Sequence, residues 1–282
     1  MTRQAGKLYL CATPIGNLED ITYRAVKVLE SVAVIAAEDT RHTRKLLSHY
    51  DIHTPLISYH EHNKLQRGPE IIARLQQGED VAVVSDAGMP GISDPGAHLV
   101  QLAVAAGITV VPVPGANAAL AALVASGLDT TIFTFVGFLP KTKKKRQELL
   151  HSLAPLPHTL VLYEAPHRLL TTLAELEVIL GDRPAVAGRE ITKKFEEFVR
   201  GRLTDLTQYF RDNPPRGEFT LVIAGAMAAE SERAAPQATD LAQAVANLVA
   251  QGINKKDAIS KVASEQGLAR RLVYQAVLDA AK

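Results

Sequence analysis

Three short clusters in the chain combine acids with bases: "AEDTRHT" at 37–43, "YEAPHR" at 163–168 and "REITKK" at 189–194. They supply Glu38, Asp39, Arg41 and His42, then Glu164 and His167, then Glu190 and Lys193. Carboxylates set beside cations or imidazoles can take a proton from a weak oxygen nucleophile or hold the anion it leaves. Spacing does not select one base among them. "AEDTRHT" follows the apolar run "VAVIAA", which places it at the end of a strand and makes Glu38, Asp39 and Arg41 the first candidates, followed by Glu190 and Lys193. A plainer reading has Asp39 or Thr40 capping a helix, with an exposed ion pair beside it.

A second kind of signal lies in loops rich in glycine and proline. "SDAGMPGISDPG", 85–96, has three glycines, two prolines and two aspartates directly after "VAVV". Gly91 and Gly96 have the outer spacing of a phosphate loop, but Ala97 and His98 stand where Lys and Ser/Thr are required, and no G-x-G-x-x-G occurs in the chain. Between Val81 and Ala106 there is no Lys or Arg, while Asp86 and Asp94 are acidic; a nucleoside triphosphate would meet like charge there. The loop suits a ligand with hydroxyls and positive charge that needs close approach of backbone. S-adenosylmethionine has that character. "TPIGNLEDIT" at 13–22 and "PVPGAN" at 112–117 also follow apolar runs, and in a doubly wound sheet such loops converge on one edge.

The elements that must position these residues read as follows. "KLYLCA", "AVIAAED", "VAVVSD" and "ITVVPVPG" alternate with the helical patterns "AVKVLESV", "TRKLLSHY", "AHLVQLAVAAG" and "AALAALVASG", the signature of a parallel sheet covered by helices. This predicts an N-terminal α/β domain over 1–116. Five further strand-like runs and helical patterns at 141–153, 167–180 and 203–212 predict a second α/β domain over 117–226. Strands adjacent without a helix at 186–199 make its sheet mixed. Residues 227–239 read as a linker. Residues 240–282 hold helical patterns separated by glycines and resemble a helix-turn-helix, with Ala263 and Gly267 four apart. A helical cap or dimerisation element and a nucleic-acid module are both open for it; Lys255, Lys256, Arg270 and Arg271 tip the balance towards RNA.

The chain of 282 residues is 47% hydrophobic with a net charge of +1, so attraction for nucleic acid must come from local patches. "KTKKKRQ" places Lys141, Lys143, Lys144, Lys145 and Arg146 within six residues; a rim of this kind beside a cleft holds RNA phosphates. Lys193, Lys194, Arg200 and Arg202 add to it, and Phe138 and Tyr163 are candidates for stacking a base. The single cysteine, Cys11 in "LYLCA", reads as a buried small side chain. His60 and His62 in "HEHN" have no evident third ligand, so no metal is expected. No apolar run approaches the roughly 20 residues of a membrane span and no secretory signal is evident, so the expected location is the cytoplasm.

Together, "TPIGNLEDIT", "AAEDTRHTRKLL", "SDAGMPGISDPG", "GFLP", "YEAPHR", "REITKKFEE" and "GEFTLVI" resemble the small-subunit ribosomal RNA (cytidine-2′-O)-methyltransferase I family, within the wider tetrapyrrole methylase fold. Seven motifs in order, from about residue 7 to 225, are a specific resemblance. It implies a two-domain methylase that binds S-adenosylmethionine between its domains, forms a homodimer and methylates the ribose of one cytidine at the decoding centre of the 16S RNA; a site as structured as that centre makes the assembled 30S subunit the expected partner, with naked RNA the open alternative. On that reading the cofactor is met by Pro14, Ile15, Gly16 and Asn17, by Asp86, Ala87, Gly88, Pro90, Ser93, Asp94, Pro95 and Gly96, by Pro114 and Gly115, and by Glu164. The chain departs from the family pattern at Met89, where a small polar residue is expected, and at Ala165, where Ser is usual. A precorrin-type C-methyltransferase and a nucleic-acid-binding regulator that senses a small ligand are the alternatives; the first has no evident use for the lysine cluster, and the second predicts binding without turnover.

Overall fold

The computed structural model describes residues 4–94, 96–226, 238–265 and 270–280. The chain divides into two compact units, with the boundary between Gly225 and Ala226.

The first unit holds two sheets. Strands β1 (Leu8–Cys11), β2 (Val34–Ala37), β3 (Leu56–Ser58), β4 (Val81–Val84) and β5 (Val110–Val113) form a sheet in the order β3-β2-β4-β1-β5, and every pairing is parallel. β2 and β4 are buried along their whole length, as unbroken apolar runs require when helices cover both faces. One face packs Leu8, Val34 and Val83 against Ile71, Leu75 and Leu99; the other packs Cys11, Ile35 and Val84 against Ala25, Leu29 and Leu47. The covering helices are α1 (Tyr23–Ser31), α2 (Thr40–His49), α3 (Lys64–Gln76) and α4 (Gly96–Ala105). Thr22 caps α1 by accepting from the Ala25 N–H at 3.1 Å. Burial pushes the Cys11 thiol up to about 12, which keeps it protonated and unreactive.

β3 and α3 are not anticipated by the sequence patterns. β3 spans three half-buried residues, and Gly68-Pro69 inside α3 reads as a break. Packing overrides this signal: a β-carbon on Gly68 would lie 2.7 Å from Leu102 Cδ1, so the glycine lets α3 lie close against α4.

The second sheet runs β6-β7-β10-β8-β9, from β6 (Phe133–Phe138), β7 (Thr159–Glu164), β8 (Pro184–Arg189), β9 (Glu197–Arg202) and β10 (Phe219–Ile223). β6 and β7 are parallel and the other pairings antiparallel, the mixed sheet expected from consecutive strands. Helices α6 (Lys143–Leu153), α7 (Leu169–Leu180) and α8 (Leu203–Asp212) cover one face through Leu150, Leu173, Leu176, Leu206 and Phe210. The other face receives α5 (Ala118–Ser126), whose Ala119, Ala122 and Leu123 pack on Val161, Val186 and Val222.

The second unit contains helices Ala238–Ala250, Lys255–Glu265 and Arg270–Asp279, packed through Leu241, Val245, Ile259, Val262 and Val273. Its first helix begins at Ala238, inside the segment expected to be linker, because "ATDLAQAV" is already a helical pattern. The rest of that linker, 227–237, and Gly267 lie outside the described residues.

Candidate active site

The C-terminal ends of β1, β2 and β4 bring the loops around residues 13–17, 38–39 and 85–94 to one edge of the parallel sheet. Facing them are the start of α5, the end of β7 and the turns at 188–193 and 218–220 of the mixed sheet. Between them lies a cleft of about 560 Å³. Its floor is built by hydrogen bonds between loops. Thr13 N–H donates to Gly88 O at 2.9 Å, and Gly88 N–H returns to Thr13 O at 3.1 Å. Asp94 Oδ1 accepts from Gly91 N–H at 2.7 Å and from Gly96 N–H at 2.8 Å. Gly88 and Gly91 have φ of +81° and +92°, which β-carbons disfavour. A β-carbon on Gly96 would lie 2.7 Å from Gly91 N. These glycines therefore shape the loop.

Of the residues expected at the cofactor, Ile15, Asp86, Ala87, Gly88, Ser93, Asp94 and Glu164 line the cleft, together with Glu38, Glu190 and Lys193. Others act from behind it or elsewhere. Pro14 and Gly16 line a smaller adjacent cavity. Asn17 is exposed and accepts from the Glu19 N–H at 3.1 Å. Pro90 is buried, Gly96 closes its loop, and Pro114 and Gly115 are exposed, delivering the chain to Asn117 and Ala118, which do line the cleft. Pro95 lies outside the described residues.

Asp39 and Arg41, expected beside Glu38, do not line the cleft. Asp39 Oδ1 caps α2 through the Arg41 N–H at 2.8 Å, and its Oδ2 pairs with Arg41 Nη2 at 2.8 Å. The Arg41 hydrogen bonds hold the Asp39 carboxyl well below the usual carboxylate range, so it is a weak base. Glu164 is also committed internally. Although it faces the cleft, its Oε1 accepts from Ala165 N–H at 2.8 Å and its Oε2 from Thr172 Oγ1 at 2.6 Å, tying β7 to α7.

Acid dominates the lining. Glu38, Asp86, Asp94, Glu164, Glu190 and Glu218 face one ammonium, Lys193. Burial, reinforced by the Asp86 charge, pushes the Glu38 carboxyl up. Burial does the same to Asp94, against the pull of its backbone donors. Lys193 Nζ sits 2.8 Å from both Glu190 Oε1 and Glu218 Oε2. Burial opposes both charges of the Lys193–Glu190 pair, yet their mutual hydrogen bond and Glu218 hold Glu190 below its ordinary value and Lys193 above. Ser93, Glu190 and Thr192 have φ of +67°, +48° and +68°. Non-glycine residues held in that region concentrate at ligand sites, where surrounding contacts fix them. Phe138, 56% exposed, and Tyr163 lie 5.5 Å apart between ring centroids and give the cleft an aromatic wall.

Asn117, Gly188, Ile191, Glu218 and Thr220 also line the cleft and were missed. Asn117 has a local signal, since its Oδ1 caps α5 by accepting from Leu120 N–H at 3.0 Å. Ile191, Glu218 and Thr220 lie in the motifs "REITKKFEE" and "GEFTLVI", but their convergence on the cleft depends on β10 pairing with β7 and β8, which sets Thr220 opposite Gly188.

Lys141, Lys143, Lys144, Lys145 and Lys194 are exposed, in positions open to an RNA backbone. Arg146 is corrected: it is buried, forks onto Glu175 at 2.5 and 2.7 Å and donates to the Pro140 and Lys141 carbonyls. In the second unit Lys255, Lys256, Arg270, Arg271 and Tyr274 line a groove of about 540 Å³. Residues 61–63 form a turn, with the His60 and His62 rings 6.0 Å apart. Among the described residues no group of three or more His, Cys, Asp and Glu is placed to hold a metal.

Residues 7–207 match the tetrapyrrole (corrin/porphyrin) methylases. The chain is 51% identical to the ribosomal RNA small subunit methyltransferase I of Synechocystis sp. over 97% of this chain and 98% of the relative. It is 47% identical to the protein of the same name from Bacillus subtilis, over 96% and 94%. Among solved structures it is similar to the uroporphyrin-III-C-methyltransferase from Thermus thermophilus, with TM-score 0.55, 26% identity and coverage of 77% of this chain and 94% of that one. Diphthine synthase shares the fold at TM-score 0.60 and 13% identity, over 81% and 94%.

Proposed function

Since the chain belongs to the tetrapyrrole methylase family, and within it to the ribosomal RNA small subunit methyltransferase I proteins, we propose that it methylates the ribose 2′-hydroxyl of a cytidine at the decoding centre. That it is an S-adenosylmethionine-dependent methyltransferase of small-subunit ribosomal RNA follows from relatives 42–51% identical over nearly its whole length. They share its family and disfavour the tetrapyrrole and regulator alternatives.

One observation carries the chemistry: a cleft lined by six carboxylates and one lysine, with the base candidate Glu38 in its wall. Such a lining suits a cofactor bearing a sulfonium and an ammonium. Tyr163 and Ile15 suit its adenine and thioether, and Asp86, Asp94 and Asn117 are the groups proposed to bind its hydroxyl and amine groups. The cofactor supplies a methyl group activated by positive sulfur. The protein must hold the ribose oxygen in line with it, and positioning accounts for much of the acceleration. Glu38, its carboxyl pushed up by burial and the Asp86 charge, is a stronger base towards the hydroxyl proton than an ordinary glutamate. Lys193, fixed by two carboxylates, places a positive charge where the oxygen becomes anionic. Phe138 supports stacking of the target base.

The reading extends to the assembled 30S subunit as substrate, to the cytoplasm and to a homodimer. Exposed Leu120 and Val124, 48% and 73% accessible on the apolar helix α5, favour association of two copies. Lys141, Lys143, Lys144, Lys145, Lys194, Arg270 and Arg271 supply phosphate contacts. Among the described residues no helix is long and apolar enough to cross a membrane.

The test incubates labelled S-adenosylmethionine with small subunits and naked ribosomal RNA from a strain lacking this gene, then digests the RNA for mass spectrometry. One new 2′-O-methylcytidine is the expected product. Cofactor binding without methylation of either substrate, or a methyl group on a base, would overturn the reading.

A further inference from the structure

Helix α2 carries a charge pattern that the methyl-transfer reading leaves unused. Its sequence, TRHTRKLLSH, contains no acidic residue, and Arg41, His42, Arg44, Lys45 and His49 are all exposed. Arg41 is held by Asp39. Among the described residues no ion pair engages Arg44 or Lys45. The helix begins two residues after Glu38, so this positive face starts beside the reacting centre.

Beneath it lies a cavity of about 210 Å³, lined by His42 and Lys45 together with Pro14, Gly16, Ser85 and Asp86. Ser85 and Asp86 line the cofactor cleft as well. Gly16 lies under Lys193, whose Cγ is 2.3 Å from where a β-carbon on that glycine would be. The two recesses therefore adjoin, separated by the Ser85–Asp86 backbone and the Lys193 stem. Asp86 does not turn the small cavity acidic unopposed, because its Oδ1 accepts the Asp39 N–H at 3.0 Å.

The contrast in charge decides what each recess admits. The cleft, with six carboxylates and one lysine, repels phosphate, so a target ribose must enter it while its flanking phosphates stay outside. Screening limits useful attraction to roughly 8–10 Å in physiological salt, so the phosphates flanking the target ribose are held by the cations nearest to it. Lys45 and His42 line the small recess and Arg44 precedes Lys45 on the same exposed helix, while Lys141, Lys143, Lys144 and Lys145 line neither recess. We propose that the small cavity and the exposed face of α2 hold the RNA backbone next to the target nucleotide, with Arg44 and Lys45 paired to phosphates and His42 donating a hydrogen bond at the cavity mouth. This rests on the ribosomal RNA reading above and assigns the RNA path within it. Contacts of this kind set register and orientation and leave sequence choice to other groups.

The test uses the full-length chain with Arg44→Gln and Lys45→Gln combined, and Arg44→Lys with Lys45→Arg as the charge-preserving control. Binding to small subunits from the strain lacking the gene is followed over a salt series, methylation at saturating cofactor, and cofactor affinity by calorimetry. The neutral variant is expected to lose about 0.7 of the salt slope per phosphate contact removed, about 1.4 for the pair. Its KM for subunits should rise about tenfold with cofactor affinity and melting temperature unchanged, while the control behaves as wild type. A wild-type slope and KM in the neutral variant overturn this inference alone, as does weakened binding with an unchanged slope, which assigns the face to a ribosomal protein. Wild-type protein that neither binds nor methylates subunits overturns the functional reading and this inference with it.

Discussion

The side-chain stem of Lys193 crosses the backbone of Gly16: a β-carbon on the glycine would lie 2.3 Å from Lys193 Cγ and 3.0 Å from its Cε. Gly16 belongs to the loop after β1 and Lys193 to the turn between β8 and β9, so the contact joins the loops of the two sheets at the cleft. The ammonium beyond it is fixed 2.8 Å from Glu190 and Glu218. Gly16 thus keeps the space in which the stem of Lys193 lies against the parallel-sheet loop while its ammonium pairs with carboxylates of its own sheet.

Gly16→Ala should displace Lys193 while leaving the fold intact. Methylation is expected to fall on the order of 100-fold, mainly in kcat, as misplacing a reacting group by about 1 Å does. Lys193→Met should fall similarly, and the double variant no further than the worse single one, because both remove the same placement. Additive losses measured in that cycle would detach Gly16 from Lys193.

Glu38→Gln should lower kcat by roughly 10²–10⁴. Burial and the Asp86 charge raise the Glu38 carboxyl, so the acid limb of the wild-type pH–rate profile should sit above the ordinary glutamate value of about 4.3. As pH falls through that raised value Glu38 takes up a proton and base catalysis is lost; Glu38→Gln should lack the limb. Asp39→Asn should retain it. A limb that survives in Glu38→Gln assigns the base elsewhere.

Arg146 and Lys144 lie two residues apart with opposite roles. Arg146→Gln leaves Glu175 in a pocket where both side chains are nearly buried and should destabilise the protein by about 3–5 kcal/mol; Lys144→Gln should change it by less than about 0.5 kcal/mol. The Arg146 hydrogen bonds lower the Glu175 carboxyl. The stability they contribute is therefore present above the ordinary glutamate value and is lost as pH falls through the lowered one. Urea midpoints from pH 7 to pH 3 should converge for wild type and Arg146→Gln.

Gly96→Ala puts a β-carbon 2.7 Å from Gly91 N and 2.9 Å from Asp94 Oδ1, forcing the loop open. Cofactor affinity, measured by calorimetry, should weaken at least tenfold. Unaltered affinity would show that the Asp94 clasp does not shape the cofactor floor.

Val124→Lys, alone or with Leu120→Lys, puts charge on the exposed apolar face of α5. Light scattering at micromolar concentration should show a dimer for wild type and a monomer for the variant. A wild-type monomer would remove the homodimer from the functional reading.

Much of the scaffold was legible because the signals are local. Apolar runs without alternation marked β2 and β4 as doubly covered strands, and glycine, proline and aspartate after β4 marked a ligand loop. β3 was not legible: three half-buried residues have no period of their own and form a strand only because β2 offers an edge. α3 hid behind Gly68-Pro69, a local break signal that packing against Leu102 overrides.

The sequence by itself determined most of the elements, though not β3 or α3, the acidic character of the 85–96 loop and, through seven motifs in order, the family. Only the tertiary structure decided which charges do what. Lys144 and Arg146 belong to one basic run in the sequence, yet one meets solvent and the other a half-buried glutamate. Glu38 and Asp39 are neighbours, yet one lines the cleft with its carboxyl pushed up and the other is locked by Arg41 and pushed down. Charge is a property of the residue, whereas burial, partner and direction are set by chain segments far apart in sequence. For that reason Glu218, visible in the "GEFTLVI" motif, had no role that could be read there: its carboxylate has meaning only because β10 runs between β7 and β8 and sets it against Lys193.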